Sequence, residues 1–596
     1  MAFPPAFARF RTNVLLPHGS WAIPLTMLMI VSLALHLSLL EALNIVEDES
    51  AYLQDAAQIR HDVLPFREYG ATKGPVFLFL LHVWERMTGH TIAAGRIFPS
   101  LAHVISLPFF FLFARNLLRS QRLAFLASLL WGVSPVIVSL TTNVMHMPLE
   151  LLWILGALAL LSSFAPYRRG TIPLAGFLFF LALLTRVTAG MLLPVLLLVL
   201  FARTRSFRPL VWFCGTTALF LVLTAAMSYP LYGWPKIAFL FHADALLVMN
   251  EQRAAYASER PPGVRGAFQV LFTSALPLWR EGLPLILSTL LLPFFAVRRV
   301  PRLVLLAGFF LLFGLLIRFV AADVLTFWRE DMFLAQRVAS RIVLAGFTFL
   351  GGMVIIQKQR TPRLSPLLVG VLLLWIGGLF LVYRQWGRTP PPHYVLEFTP
   401  ALALAAAPAL AHIFRTVERF DQTAKQIGRG VLLLLIVVGL VAPFQAMPKK
   451  HYRGTTPVAA AKEMGRLVQQ YVPKDEALFT AQPIFPYLGE RPLYGYYTHP
   501  GWYLAERAGF LPPTIRRLYF PDLPDLASRV ERDVHWIIVD WRTADVYFNE
   551  RAEDTRPFRE FLARDFEPVV TVPNPAARDI TLYTRRERGA EHKRAQ

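Results

Sequence analysis

The stretch WAIPLTMLMIVSLALHLSLLEAL, residues 21–43, runs without a Lys, Arg, Asp or Glu until Glu41. A helix needs roughly 20 apolar residues to cross the hydrocarbon core, because every backbone polar group there must be satisfied within the segment. This stretch meets that length and reads as a membrane span. No small-residue cleavage site follows it, so it is expected to stay as an uncleaved signal anchor.

Runs of the same kind recur along the chain. They lie at Ala94–Arg115, Leu123–Thr141, Leu149–Ala165, Ile172–Thr185, Met191–Phe201 and Pro209–Tyr229. Others follow at Leu283–Val297, Leu303–Val320, Val338–Ile356, Leu367–Tyr383, Val395–Phe414 and Gly430–Ala446. The fold class is therefore a polytopic α-helical membrane protein of about 13 spans. Composition agrees: 55% of residues are hydrophobic, 17% are charged and mean hydropathy is +0.46. A soluble domain carries about a quarter charged residues. The net charge of +21 would suggest nucleic acid in a soluble protein. Here the basic residues sit in short clusters between apolar runs, with no basic and aromatic surface, so nucleic acid is set aside as a partner. The single cysteine, Cys214, lies in an apolar run and is read as a packing residue.

Those basic clusters set the orientation. Every second loop is short and basic: Arg9 and Arg11; Arg115, Arg119 and Arg122; Arg168 and Arg169; Arg203, Arg205 and Arg208. The series continues with Arg298, Arg299 and Arg302, then Lys358, Arg360 and Arg363, then Arg415, Arg419, Lys425 and Arg429. That face is cytoplasmic by the positive-inside rule, which puts the N-terminus inside the cell. The opposite face receives the longer loops 44–93, 230–282 and 321–337 and nearly all the acids. An odd number of spans then leaves 449–596 on the outer side of a cytoplasmic (inner) membrane, after a membrane module of 1–448. Within this tail, Thr456–Val472 reads as an amphipathic helix, and His535–Asp540, Val569–Val572 and Ile580–Tyr583 as strands. A small α/β domain is expected there.

The loop that follows the first span is the richest in chemistry: NIVEDESAYLQDAAQIRHDVLPFREYGATKGP, residues 44–75. Glu47, Asp48 and Glu49 stand where the span ends. Ser50–His61 has a helical pattern, with Tyr52, Ala56 and Ile59 on one face, which suits a helix lying along the interface. Carboxylates beside a bilayer can accept a proton from a hydroxyl, and nearby cations can hold a departing phosphate. Acids and bases also gather in outer loops with no such role, and the spacing alone does not separate the two cases.

That loop resembles the first outer loop of the GT-C glycosyltransferases, in the bacterial branch related to protein O-mannosyltransferases and the lipid A aminoarabinose transferase. The resemblance rests on Asp48-Glu49, Tyr52, Pro65-Phe66-Arg67-Glu68 and Lys73-Gly74-Pro75. A second match is His393-Tyr394-Val395-Leu396-Glu397-Phe398-Thr399-Pro400, which opens a late span and looks like a basic residue-Tyr-x-Leu-x-x-x-Pro segment of that family. The span number and the outer C-terminal domain also fit.

The resemblance implies transfer of a sugar from a polyprenyl-phosphate carrier to a lipid, glycan or protein acceptor at the outer face, with inversion. It makes Asp48 the base, with Glu49 as its neighbour or substitute. Two adjacent carboxylates repel, which would favour proton uptake by one of them near neutrality. Lys73, Arg186 and His393 become candidates for holding the donor phosphate, joined by Arg253 or Arg265 from the long loop 230–282. Tyr52, Arg67, His146, Tyr394 and Glu397 are candidates for substrate contact. One departure stands out. In Thr142-Asn143-Val144-Met145-His146-Met147-Pro148-Leu149, His146 takes the place where many relatives carry an acid. No cluster has metal-site spacing, so no cofactor is expected, although metal dependence stays open. A transporter or lipid flippase is the competing class, and a noncatalytic binding relative a third. Transporters often show repeated halves and charges midway through their spans; no repeat is found here, and the charges gather at outer span ends.

Overall fold

The computed structural model describes residues 21–71, 73–163, 170–255, 365–385, 396–419, 456–496, 513–519, 525–540, 556–575 and 578–586, with a few isolated positions besides. The candidate spans Leu283–Val297, Leu303–Val320 and Val338–Ile356, and most of Gly430–Ala446, lie outside the described residues.

Apolar runs become helices in the expected order. The first span is α1, Ala22–Leu39. Next come α2, Glu47–Gln58, and α3, Pro75–Thr88. The long α4, Ile92–Leu118, starts where the Thr91 side chain accepts from the Ala94 amide, an N-cap that satisfies one of the helix's free donors. Then follow α5, Gln121–Val133; α6, Pro135–Thr142; α7, Met147–Ser163; α8, Thr171–Thr185; and α9, Leu193–Thr204. The helices α10, Arg208–Ala255, α11, Pro366–Gln385, and α12, Thr399–Val417, complete the membrane part that is described. Among the described residues, five helices are long and apolar enough to cross a membrane, or six if the bent pair α5–α6 counts as one span. Ile23, Met27 and Ile30 on α1, and Val211, Val222 and Met227 on α10, stay exposed. In a bilayer those side chains face lipid, so the chain is membrane-embedded.

Four local departures from the sequence reading have physical causes. The run Leu123–Thr141 breaks by 54° between α5 and α6, because Pro135 supplies no amide donor and holds Ser134 in the extended region. Residues 75–88, expected as loop, form α3: Pro75 takes the first helical position, Phe77, Leu78 and Leu81 turn inward, and Val83 and Met87 face out. The helix α2 does not lie along the interface, because Glu49 through Gln58 are all buried. It is an interior helix, its three acids favourably placed in the first turn. Finally, residues 230–255, expected as loop, continue α10 through a kink at Gly233, whose φ of 69° suits a residue without a Cβ.

The tail folds as foreseen in outline. An amphipathic helix, α13 (Val458–Tyr471), precedes β1, Leu478–Phe479, and α14, Ile484–Gly489. After α15, Pro513–Tyr519, and α16, Leu526–Asp533, come β2, Trp536–Val539, α17, Arg556–Asp565, β3, Phe566–Val572, and β4, Ile580–Arg585. The sheet order is β1-β2-β4-β3, parallel between β1 and β2 and antiparallel elsewhere. In β4, Ile580, Leu582 and Thr584 alternate inward, the period of a half-buried strand.

This domain is joined to the first loop at several points. Ile45, just after α1, and Thr456, just before α13, exchange backbone hydrogen bonds of 2.8 and 2.9 Å. Tyr519 donates its hydroxyl to the Phe66 carbonyl at 2.8 Å. On α3, buried Glu85 accepts from the Tyr487 hydroxyl at 2.7 Å, and the His90 ring bonds the Tyr487 carbonyl at 2.9 Å. Burial pushes the Glu85 carboxyl up to about 8, against the opposing pulls of Tyr487 and Arg60.

An acid with a raised pKa in the folded state favours folding below its unfolded value of about 4.3 and loses that contribution as pH rises through the folded value. Stability at this joint should therefore fall by about 1.4 kcal/mol per pH unit between those limits. The expected result is a protection factor at 484–489, exchange corrected for its intrinsic base-catalysed rate, that falls from pH 5 to pH 8 in the wild type and stays constant in Glu85→Gln.

Candidate active site

The site starts from one buried ion pair. Arg96, on α4, donates to both carboxylate oxygens of Glu49, Nε to Oε1 at 2.7 Å and Nη2 to Oε2 at 2.8 Å. Its other donors reach the carbonyls of Leu40 at 2.6 Å, Leu43 at 2.8 Å and Asn44 at 3.2 Å. One guanidinium thus ties the end of α1, whose last carbonyls have no helical partner, to the first turn of α2. Glu49 Oε1 also accepts the Val144 amide at 3.1 Å. The reading of Glu49 as a substitute base does not fit this geometry: it is fully buried and both oxygens are engaged. Asp48 is half-buried on the N-terminal turn of α2.

One turn further along α2, Tyr52 is fully buried. The Lys73 ammonium lies 5.6 Å from its ring centroid, a cation–π distance. Lys73 is itself 3% exposed, so it does not snorkel to the headgroups. What seats it is Gly74. A Cβ at that position would fall 2.1 Å from the Leu184 carbonyl oxygen and 2.8 Å from that of Thr185. Only glycine lets the Lys73-Gly74-Pro75 corner rest on the end of α8.

Arg186 emerges at that same end. Its backbone is extended between α8 and the 3-10 turn Val187–Leu192. The side chain is 1% exposed, and its Nη1 pairs with Glu397 and lies 3.9 Å from Glu150. Glu397 sits in the turn preceding α12. Its carbonyl accepts from the Trp375 indole at 2.9 Å, while Trp131 donates to Thr399 Oγ at 2.9 Å.

Residues 143–150 link the three places. Val144 meets Glu49; the buried His146 ring stands edge-on to Tyr52 at 5.9 Å and to Phe77 at 6.0 Å; Glu150, in the first turn of α7, reaches Arg186. Of the candidates from the sequence, the structure gathers Asp48, Glu49, Tyr52, Lys73, His146, Arg186 and Glu397. Arg67 stands apart: its half-exposed side chain pairs with Glu68, and its carbonyl accepts from Lys236. The side chain of Arg253, and all of Arg265, His393 and Tyr394, lie outside the described residues. Among the described residues no three His, Cys, Asp or Glu side chains gather as metal ligands. Arg96 and Glu150 were missed, although a charge inside an apolar span is a signal in its own right.

Comparison with known proteins agrees with the first-loop resemblance. The family model described as dolichyl-phosphate-mannose-protein mannosyltransferase matches residues 72–229, which include Lys73, His146 and Arg186 but not Asp48. No curated protein matches the sequence. The structure is similar to that of ArnT from Cupriavidus metallidurans bound to undecaprenyl phosphate: 14% identity, 95% of this chain and 98% of that one covered, TM-score 0.54. The fold is that of the GT-C glycosyltransferases. A weaker likeness is to the archaeal oligosaccharyltransferase AglB from Archaeoglobus fulgidus, in complex with an inhibitory peptide and a dolichol-phosphate: 13% identity, 94% and 74% covered, TM-score 0.46. Another is to the arabinofuranosyltransferase AftD from Mycobacteria: 12% identity, 94% and 39% covered, TM-score 0.42.

Within this GT-C fold, breaking one partner of the Arg96–Glu49 pair strands a buried charge, at a cost of about 3–5 kcal/mol. Arg96→Met and Glu49→Gln should each lower the thermal midpoint in detergent by several degrees. The double variant Glu49→Leu with Arg96→Met should recover part of the loss.

Proposed function

We propose that the chain is a membrane glycosyltransferase that moves a sugar from a polyprenyl-phosphate donor to a hydroxyl acceptor at the outer face of the cytoplasmic membrane. Residues 1–448 form the catalytic membrane module and 449–596 an outer domain. The observation that carries this reading is the seat of Lys73-Gly74 on the end of α8, from which Arg186 emerges. The backbone just after Lys73 and the backbone before Arg186 thus meet, and both cations are buried, which supports reading them with Tyr52 and the acidic first turn of α2 as one site. Buried cations near a bilayer surface suit a lipid-linked phosphate better than a freely soluble ligand.

In this reading the acceptor oxygen attacks the anomeric carbon from the face opposite the phosphate. Its proton passes to Asp48, the bond from carbon to phosphate oxygen breaks, and the bonding pair leaves with the polyprenyl phosphate. The sugar–acceptor bond forms with inversion. Charge building on the departing phosphate is met by Lys73 and Arg186, and the developing oxocarbenium character of the ring resembles that of glycoside cleavage. Glu49, held by Arg96, fixes the turn that presents Asp48. Tyr52 supports the Lys73 ammonium, and His146 packs against Tyr52. The acceptor is a lipid, a glycan or a protein.

The test incubates the protein in lipid with a panel of polyprenyl-phosphate sugars and follows loss of sugar from the carrier by mass spectrometry. Loss of a general base typically lowers the rate about 10²- to 10⁴-fold, and Asp48→Asn is expected to do so with an unchanged thermal midpoint. Transfer at the wild-type rate by that variant would remove Asp48 from the role. Lys73→Met is expected to raise the donor concentration needed for half-maximal turnover while leaving binding of the unphosphorylated polyprenol alone.

A further inference from the structure

Two carboxylates converge on one nitrogen of the Arg186 guanidinium. Glu397 pairs with it closely and Glu150 lies 3.9 Å away, both almost fully buried. The three side chains come from separate parts of the fold: Arg186 from the break after α8, Glu150 from the first turn of α7 and Glu397 from the turn before α12. A buried cation needs a counter-anion whether or not substrate is present, since an uncompensated charge away from water is strongly unfavourable. The extended backbone at Arg186 puts the side chain outside a helical ladder, so the guanidinium can turn without any helix unwinding.

We propose that Glu397 and Glu150 are positioning residues that occupy Arg186 while no lipid phosphate is bound and reclaim it from the product after transfer. The inference rests on the reading of Arg186 as a donor-phosphate cation. Its logic lies in the charge of the two lipids. The donor is a phosphodiester with one negative charge, whereas the released carrier is a phosphomonoester carrying about −1.5 to −2 near neutrality. Cations that hold the donor therefore hold the product more tightly, and the product would block the site. A phosphate, offering a bidentate edge, can displace a single carboxylate on arrival. The carboxylates remain beside the guanidinium and compete for it continuously, which lowers the affinity for the carrier phosphate and speeds its exit.

The probe is undecaprenyl phosphate, titrated into the full-length protein in lipid nanodiscs, with undecaprenol as the neutral control. Removing a competing anion at close range is expected to tighten binding of undecaprenyl phosphate about tenfold in Glu397→Gln and about threefold in Glu150→Gln. Glu397→Asp, which keeps the charge, should return to near the wild-type affinity, and undecaprenol binding should not change in any variant. With an active donor, Glu397→Gln should lower KM and kcat together, as slower product release requires. Arg186→Gln separates the two layers of the argument. If it weakens phosphate binding while both glutamine variants bind as the wild type does or more weakly, the counter-anion role is wrong and the phosphate role of Arg186 stands. If Arg186→Gln binds undecaprenyl phosphate as the wild type does, both fall. Should Glu397→Gln fail to fold, Glu150→Gln, at the longer contact, decides the question alone.

Discussion

The contact between Arg96 and Glu49 is the constraint from which the rest of the site is built. A single guanidinium in the membrane part of α4 satisfies the end of α1, fixes the first turn of α2 and, through Glu49, takes in the Val144 amide. An arginine this deeply buried is tolerable only because all its directions are used. Once it is in place, the polypeptide leaving the first span has little choice of path. Asp48 is held at the start of a helix, Tyr52 follows one turn later, and the segment 143–150 is drawn alongside both.

Close approach of backbone is the second device. Gly74 against the carbonyls of Leu184 and Thr185, and Gly95 with its missing Cβ 2.5 Å from Leu53, let the first loop sink between helices instead of riding over them. The result is that charged groups read as belonging to an outer loop are in fact interior. Lys73, Glu49 and Arg186 work in surroundings of low polarity, where each electrostatic contact is stronger than it would be in water and each vacancy more unfavourable.

Much of this was legible in the residues, and the parts that were not share a cause. Apolar runs marked α1, α4 and α7 to within a few residues, and the pattern of Thr456–Val472 marked α13. The first-loop motif drew attention to Tyr52 and Lys73, which are buried against each other. What escaped was whatever depended on contacts distant in sequence. Glu150 and Arg96 sat inside stretches read as spans, and nothing local says that each has an opposite charge waiting elsewhere in the fold. The helix α2 looked interfacial because its charged start and apolar face are those of a surface helix; its burial comes from the tail domain and from α3, which was itself hidden behind Pro75. Strand β1, two residues long, is too short to give any period.

The pairing of Ile45 with Thr456 has a consequence for how the protein is made. The first loop emerges early from the ribosome, yet its backbone partner at Thr456, and the Tyr519 hydroxyl that grips Phe66 from 453 residues away, arrive only when nearly everything else has been inserted. Chain segments ordered by such distant contacts form late. A nascent or truncated chain would hold its spans in the bilayer without a finished first loop, so residues near the C-terminus act as the keystone for a loop made long before them.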